Sequence, residues 1–212
     1  MYSTLDFSTS DKDTITVDIP LAIYWFEKSI SQQQKDSLYM LGKIYYEHYE
    51  SYITSSDYLI KYINILNKNS NFTLMIENDI DNYTYALYLL ANCYKIRDDS
   101  KQNNNKAIEI YNNILNIPNV IDSIKEKVLY SLGKSYLIEK KFILAKQSYE
   151  QSAKLGNSDA AYNLATYYEN EKDIKNMIFW YKKAKDMNHE NKAQNKATSK
   201  LNYFKDICEI LN

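Results

Sequence analysis

The sequence predicts an all-α fold of about ten helices stacked as antiparallel pairs, and three observations carry that expectation. The 212 residues hold only three Gly and two Pro, too few turn-formers for the tight reversals of a sandwich or a doubly wound sheet. Hydrophobic residues make up 45% and charged residues 25%, the balance of a chain with a core. A seven-residue pattern, Y-x-L-[GA]-x-x-Y, returns at 39–45, 88–94, 130–136 and 162–168. Self-similarity on this scale marks stacked repeats.

Taken in chain order, residues 1–17 read as a flexible arm, although Thr14–Ile19 alternates like a short strand. Asp18 ahead of Pro20 starts the first helix. Helices are expected at 19–33, 36–50, 55–68, 82–98, 104–116, 122–139, 142–155, 157–171, 173–187 and 191–211, with 18–212 forming one helical-repeat domain. Each motif copy occupies the first helix of a pair. At about 100° per residue, Leu41 and Tyr45 fall within about 40° of each other, and Leu38 joins them one turn earlier. Gly42, Ala91, Gly133 and Ala165 sit beside that stripe, where a small residue lets a second helix close in; a mid-helix glycine otherwise costs roughly 1 kcal/mol.

The second helices carry Tyr62, Tyr111, Tyr149 and Tyr181, and an earlier copy without a partner helix carries Phe26. The last motif Tyr and this aromatic lie 17 residues apart in the first two pairs and 13 in the last two. Residues 67–81 read as an insertion whose Phe72, Leu74, Met75 and Ile76 either fold back into a wider gap or form an exposed partner contact, and 102–105 as a short polar loop. In the final segment Ala193, Ala197, Leu201, Phe204, Cys208 and Leu211 recur at steps of three and four, opposite Lys192, Lys196, Lys200 and Lys205. That pattern is an amphipathic helix, 191–211, with a wet back suited to capping a stack.

The L-G-x-x-Y core followed by Ala145, Tyr149 and Ala153 resembles the tetratricopeptide repeat. Ala22-x-x-Trp25-Phe26-x-Lys28-Ser29 and Trp180-Tyr181-x-Lys183-Ala184 resemble the related Sel-one-like repeat. Together the resemblances span about 20–190 and imply a right-handed α-solenoid. They also imply that the 17-residue separation is a longer Sel-one-like loop and the 13-residue one a tetratricopeptide loop. The Gly-rich loop of the first family and the closing proline of the second are both missing.

Composition excludes several classes. Net charge is −1, from 26 basic and 27 acidic residues, and Arg97 is the only arginine, which disfavours nucleic acid and anionic membranes. Cys93 and Cys208 stand apart, outside any metal or disulfide spacing, as suits a reducing compartment. No signal-peptide pattern opens the chain, and no apolar run approaches the roughly 20 residues of a membrane span. An intracellular, soluble protein is expected, cytoplasmic or nuclear, with the Lys, Asn, Ile and Tyr bias of an AT-rich genome. Asp11-x-Asp13 begins like a calcium loop but has Thr16 and Ala22 where glycine and glutamate belong. No phosphate-binding glycine loop exists. Catalytic residues, metal and cofactor are therefore all expected to be none; the enzymatic alternative is a hydrolase using His48 or His189, the only histidines.

Surface remains. In tetratricopeptide-like arrays the first helices line the concave face, so the resemblance assigns partner contacts to Tyr39, Lys43, Tyr46, Tyr88, Asn92, Lys95, Tyr130, Lys134, Tyr162, Thr166 and Glu169. The four motif tyrosines form a ladder of large, hydroxyl-bearing contacts, unless they pack inside the array. Lys43, Asn92 and Lys134 share one position suited to acidic side chains or a peptide carboxylate. The expected function is a non-catalytic adaptor holding a peptide or helix of a partner protein, with RNA binding as the alternative. Self-association through the first helix is a further option.

Overall fold

The computed structural model describes residues 18–30, 34–69, 77–97, 101–187 and 192–210. Among the described residues ten helices run in order: α1 (Ile19–Ile30), α2 (Lys35–Glu47), α3 (Tyr52–Asn69), α4 (Glu77–Arg97), α5 (Lys101–Asn116), α6 (Asp122–Ile138), α7 (Phe142–Lys154), α8 (Ser158–Asn170), α9 (Ile174–Asp186) and α10 (Lys192–Ile210). No strand occurs among the described residues. The predicted arm at 1–17 and the apolar run at 72–76 lie outside them. No described helix is long and apolar enough to cross a membrane.

Local chemistry sets the helix ends. Asp18 accepts the Leu21 N–H at 3.0 Å, Asn157 that of Ala160 at 2.8 Å, and Asp173 that of Asn176 at 3.1 Å, each quenching an orphan donor of a first turn. α6 and α8 end on the same turn. The Lys141 and Asp173 N–H groups reach back to the Tyr136 and Tyr168 carbonyls, while those of Lys140 and Lys172 bond the Leu137 and Glu169 carbonyls. Lys140 and Lys172 both sit at φ 58°, in the left-handed region glycine prefers. Glycine scarcity therefore limits tight turns less than the composition suggests, because Glu50 and Asn119 also adopt positive φ.

Helices α2/α3, α4/α5, α6/α7 and α8/α9 pack as pairs, with α1 against α2 and α10 against α8 and α9. The small-residue position does what its spacing predicts. A Cβ on Gly42 would meet Leu59 Cγ at 2.7 Å, and one on Gly133 would meet the Tyr149 ring at 2.7 Å. Ala91 and Ala165 are fully buried at the same seam. Leu41, Leu90, Leu132 and Leu164 fill the stripe, all buried, each contributing about 2 kcal/mol by burial. Three successive clusters form the core, and Tyr136 packs against two of them, the one centred on α5 and α6 and the one running from α7 to α10.

Two expectations need correction. Residues 102–105 are not a loop but lie inside α5. The 17-residue separation is not a longer loop either. α3 and α5 begin ten residues before Tyr62 and Tyr111, whereas α7 and α9 begin seven before Tyr149 and Tyr181. The added length is about one helical turn at the head of the second helix, which keeps the aromatic facing the seam.

Stacking of the inner helices is uneven. α2 packs on α4, α4 on α6 and α8 on α10, but α6 makes no comparable contact with α8.

Candidate partner-binding face

Every motif tyrosine lies against the second-helix tyrosine of its own pair. Ring centroids are 5.5 Å apart for Tyr39–Tyr62, 6.3 Å for Tyr88–Tyr111, 6.0 Å for Tyr130–Tyr149 and 5.6 Å for Tyr162–Tyr181. Such tilted contacts suit the ring quadrupoles. The second-helix tyrosines are all buried, yet their hydroxyls fare differently. Tyr111 donates to Asn92 Oδ1 at 2.5 Å and Tyr181 to Glu169 Oε2 at 2.6 Å. Tyr62 and Tyr149 complete no hydrogen bond among the described residues.

Lysines edge the inner face. The Lys134 ammonium sits over the Tyr130 ring at 5.1 Å, and Lys196 over Tyr162 at 5.7 Å. Burial, with the Lys134 charge adding, pulls the Lys95 ammonium down to about 8. Lys200 reaches Glu169 at 2.8 Å and so ties α10 to α8. Burial opposes ionisation of Glu169, but hydrogen bonds from Lys200 and Tyr181 outweigh it and hold the carboxyl below its ordinary value.

Two hollows open beside these groups. One, of about 860 Å³, is bounded by Tyr162 on α8 and by Lys192, Lys196, Lys200 and Tyr203 on α10. The other, of about 460 Å³, lies among α6, α7 and α8 where the inner stacking lapses; Tyr130, Lys134, Leu137, Phe142, Tyr149 and Asn163 line it.

A family model for the Sel1 repeat matches three stretches of the chain, residues 10–33, 84–112 and 158–189. Solved structures share the architecture. MamA superposes with a TM-score of 0.60 at 18% identity, covering 79% of this chain and 86% of its own. A Sel1 repeat protein from Oxalobacter formigenes gives 0.53 at 17%, covering 81% and 66%. YrrB, described as a TPR protein with an unusual peptide-binding site, gives 0.54 at 14%, covering 85% and 84%. This chain is a TPR/Sel1-like helical-repeat protein. Among curated proteins no match is found. The Sel1 matches cover one pair of each spacing class, α4/α5 and α8/α9, so separation does not sort the repeats of this TPR/Sel1-like array into two families.

The predicted contact residues fall into four overlapping sets. Tyr39 is 9% exposed, with its hydroxyl pushed up to about 12 by burial and then by Glu47, and Asn92 is buried as the acceptor for Tyr111. Both are corrected from surface to core, because the second-helix tyrosine lies over them. Tyr46 packs edge-on against Tyr52 at 5.5 Å, Thr166 donates to the Tyr162 carbonyl at 3.1 Å, and Glu169 serves α10. These three are engaged within the fold. Tyr130, Lys134 and Thr166 share the 460 Å³ hollow, Tyr162 borders the larger one, and Lys95 lies within the field of Lys134. Lys43 and Tyr88 remain partly exposed on α2 and α4.

The α10 lysines read in sequence only as a wet back. Their recurrence at steps of four and five residues is the available signal, and it marks a face without saying what that face looks onto. Of the two histidines, His48 is exposed just after α2, and His189 lies outside the described residues. Among the described residues no His, Cys, Asp and Glu cluster suits a metal.

Proposed function

We propose that this protein is a non-catalytic adaptor that holds an acidic segment of a partner protein along the inner face of α4, α6, α8 and α10. One observation carries the reading: lysines converge there beside tyrosine rings, and Lys95, Lys134, Lys192 and Lys196 have no ion pair among the described residues. An acidic segment would supply the missing counter-charge, and tyrosines supply contact area at small entropy loss. Solenoids of this kind use extended concave surfaces for binding, and the peptide-binding site in the description of YrrB is in keeping with that use.

The test is a cross-linked capture from native cell extract, treated with RNase, comparing wild type with a Lys134→Glu, Lys196→Glu variant. The expected result is a protein whose cross-links place an acidic stretch on these helices and which the variant loses. A partner that survives charge reversal, or that vanishes with RNase, refutes the reading.

Proton linkage gives a second check. An anionic partner favours protonated Lys95, so affinity is fully present below the free-state value of about 8 and falls as pH rises from there toward the higher bound-state value. Anisotropy of a labelled glutamate-rich peptide should show that fall above about pH 8, and Lys95→Arg should flatten it.

A further inference from the structure

The third and fourth pairs carry the same motif, with Tyr149 standing for Tyr181 and Leu137 for Glu169. In the fourth pair the chain supplies its own anion. Tyr181 donates to the Glu169 carboxylate at 2.6 Å, and Lys200 neutralises that carboxylate at 2.8 Å. In the third pair Leu137 puts a hydrocarbon at this position. Tyr149, only 3% exposed, is left with a hydroxyl that completes no hydrogen bond among the described residues. The Asn163 amide interacts with the Tyr130 hydroxyl and only weakly with that of Tyr149, which meets no hydrogen-bond geometry.

Tyr149 lines the 460 Å³ hollow among α6, α7 and α8, with its hydroxyl at the buried end of the ring. Gly133 holds the donor in place, because any side chain there would strike the Tyr149 ring. The Lys134 ammonium stands over Tyr130 with no carboxylate of its own among the described residues. Lys146, also lining the hollow, is already tied to Glu150 at 3.7 Å. No acidic residue lines the hollow, whereas Leu137, Phe142 and the Tyr130 ring give it an apolar side. Asp159, at the start of α8, is close enough for its field to raise the Tyr130 hydroxyl, but it does not border the space. A volume of this size suits one bulky side chain or a small ligand.

We propose that this hollow takes a carboxylate carried on an apolar stem, presented by an acidic side chain of the bound partner, with Tyr149 donating to it and Lys134 neutralising it as Tyr181 and Lys200 do for Glu169. Leu137 and Phe142 cover the stem. The source of the carboxylate rests on the groove reading above; the pocket chemistry does not, so it is tested first with a free acid.

Phenylacetate is titrated into the ¹⁵N-labelled full chain, with phenylacetamide as the uncharged control. Saturable shifts confined to residues on α6, α7 and α8 are expected for the acid and not for the amide. Tyr149→Phe should weaken the acid roughly ten- to a hundredfold, the range for losing a hydrogen bond to a charged group. Leu137→Glu, which installs the fourth pair's own carboxylate at a 41% exposed position, should abolish binding while the helical spectrum persists. Equal affinity for acid and amide, shifts restricted to α10, or an unchanged Tyr149→Phe affinity overturns the pocket, even if the groove still captures a partner.

An end-blocked peptide with one glutamate then competes against its glutamine twin. Displacement by the glutamate peptide alone supports the side-chain source. Failure of both peptides to displace bound phenylacetate overturns that source and makes this a site for a free carboxylic acid.

Discussion

The third and fourth helix pairs are near copies that differ in what completes them. Both separate their motif tyrosine and second-helix aromatic by the same distance, close with the same turn, and press one tyrosine ring on another. In α8/α9 the buried hydroxyl has an internal carboxylate, and that carboxylate has a lysine from α10. In α6/α7 the hydroxyl has no such acceptor, its tyrosine lines a hollow, and α6 makes no contact with α8 comparable to the other inner stackings. A repeat can thus be sealed by its neighbour or left open, with the difference turning on one residue, Glu169 against Leu137.

The contrast breaks most severely under Glu169→Leu, which gives the fourth pair the third pair's residue. Tyr181 and Lys200 lose their acceptor, and urea unfolding should show a loss of about 2–3 kcal/mol. The same carboxyl is held below its ordinary value, so its contribution is complete above the unfolded value of about 4.5 and disappears as pH falls through the lower folded value. In the Glu169→Leu variant that segment of acid destabilisation should be missing.

Gly133→Ala tests the seam instead of the hydroxyl. The added methyl meets the Tyr149 ring, while the fourth pair already closes around Ala165. Overpacking outweighs the helix-propensity gain, for a net loss of about 1–2 kcal/mol. A single-atom comparison comes next. Tyr181→Phe should cost about 1.5 kcal/mol, and Tyr149→Phe should stay within about 0.5 kcal/mol of wild type, because only the first removes a made hydrogen bond. Smallest is the shared turn. Lys140→Gly and Lys172→Gly each relieve a left-handed residue and should raise stability by about 0.5–1 kcal/mol in either pair; a difference between them in thermal melts would show that the two turns are not equivalent.

Much of this is legible in the residues. The helix count, the glycine seam and the aromatic of each second helix come from periodicity, because packing against a neighbour demands a stripe. The heads of α3 and α5 are not legible. Residues 51–54 fall between two expected helices and Gln102–Asn105 read as polar loop, since such residues bond their own backbone as readily outside a helix. Tertiary contacts overrule that preference: Ser55 Oγ donates to the Gly42 carbonyl at 2.8 Å, and Asn104 Nδ2 bonds the Ser135 carbonyl at 3.1 Å and Glu139 Oε1 at 2.9 Å. The candidate face is legible in outline only. Position within the motif places Lys134 and Tyr162 on the inner side, but it cannot say that Tyr39 and Asn92 lie under a neighbouring ring. Nor can it say that the α10 lysines look back across α8.

The extra turn at the head of α3 and α5 makes length in this array a quantised property. Three or four added residues rotate the downstream part of the helix by about 300° or 400° and return the aromatic close to its seat, whereas one or two swing it through about 100° or 200° and eject it from the seam. Segments of this chain are therefore threaded like a screw: they can be lengthened or shortened, but only by the full turn.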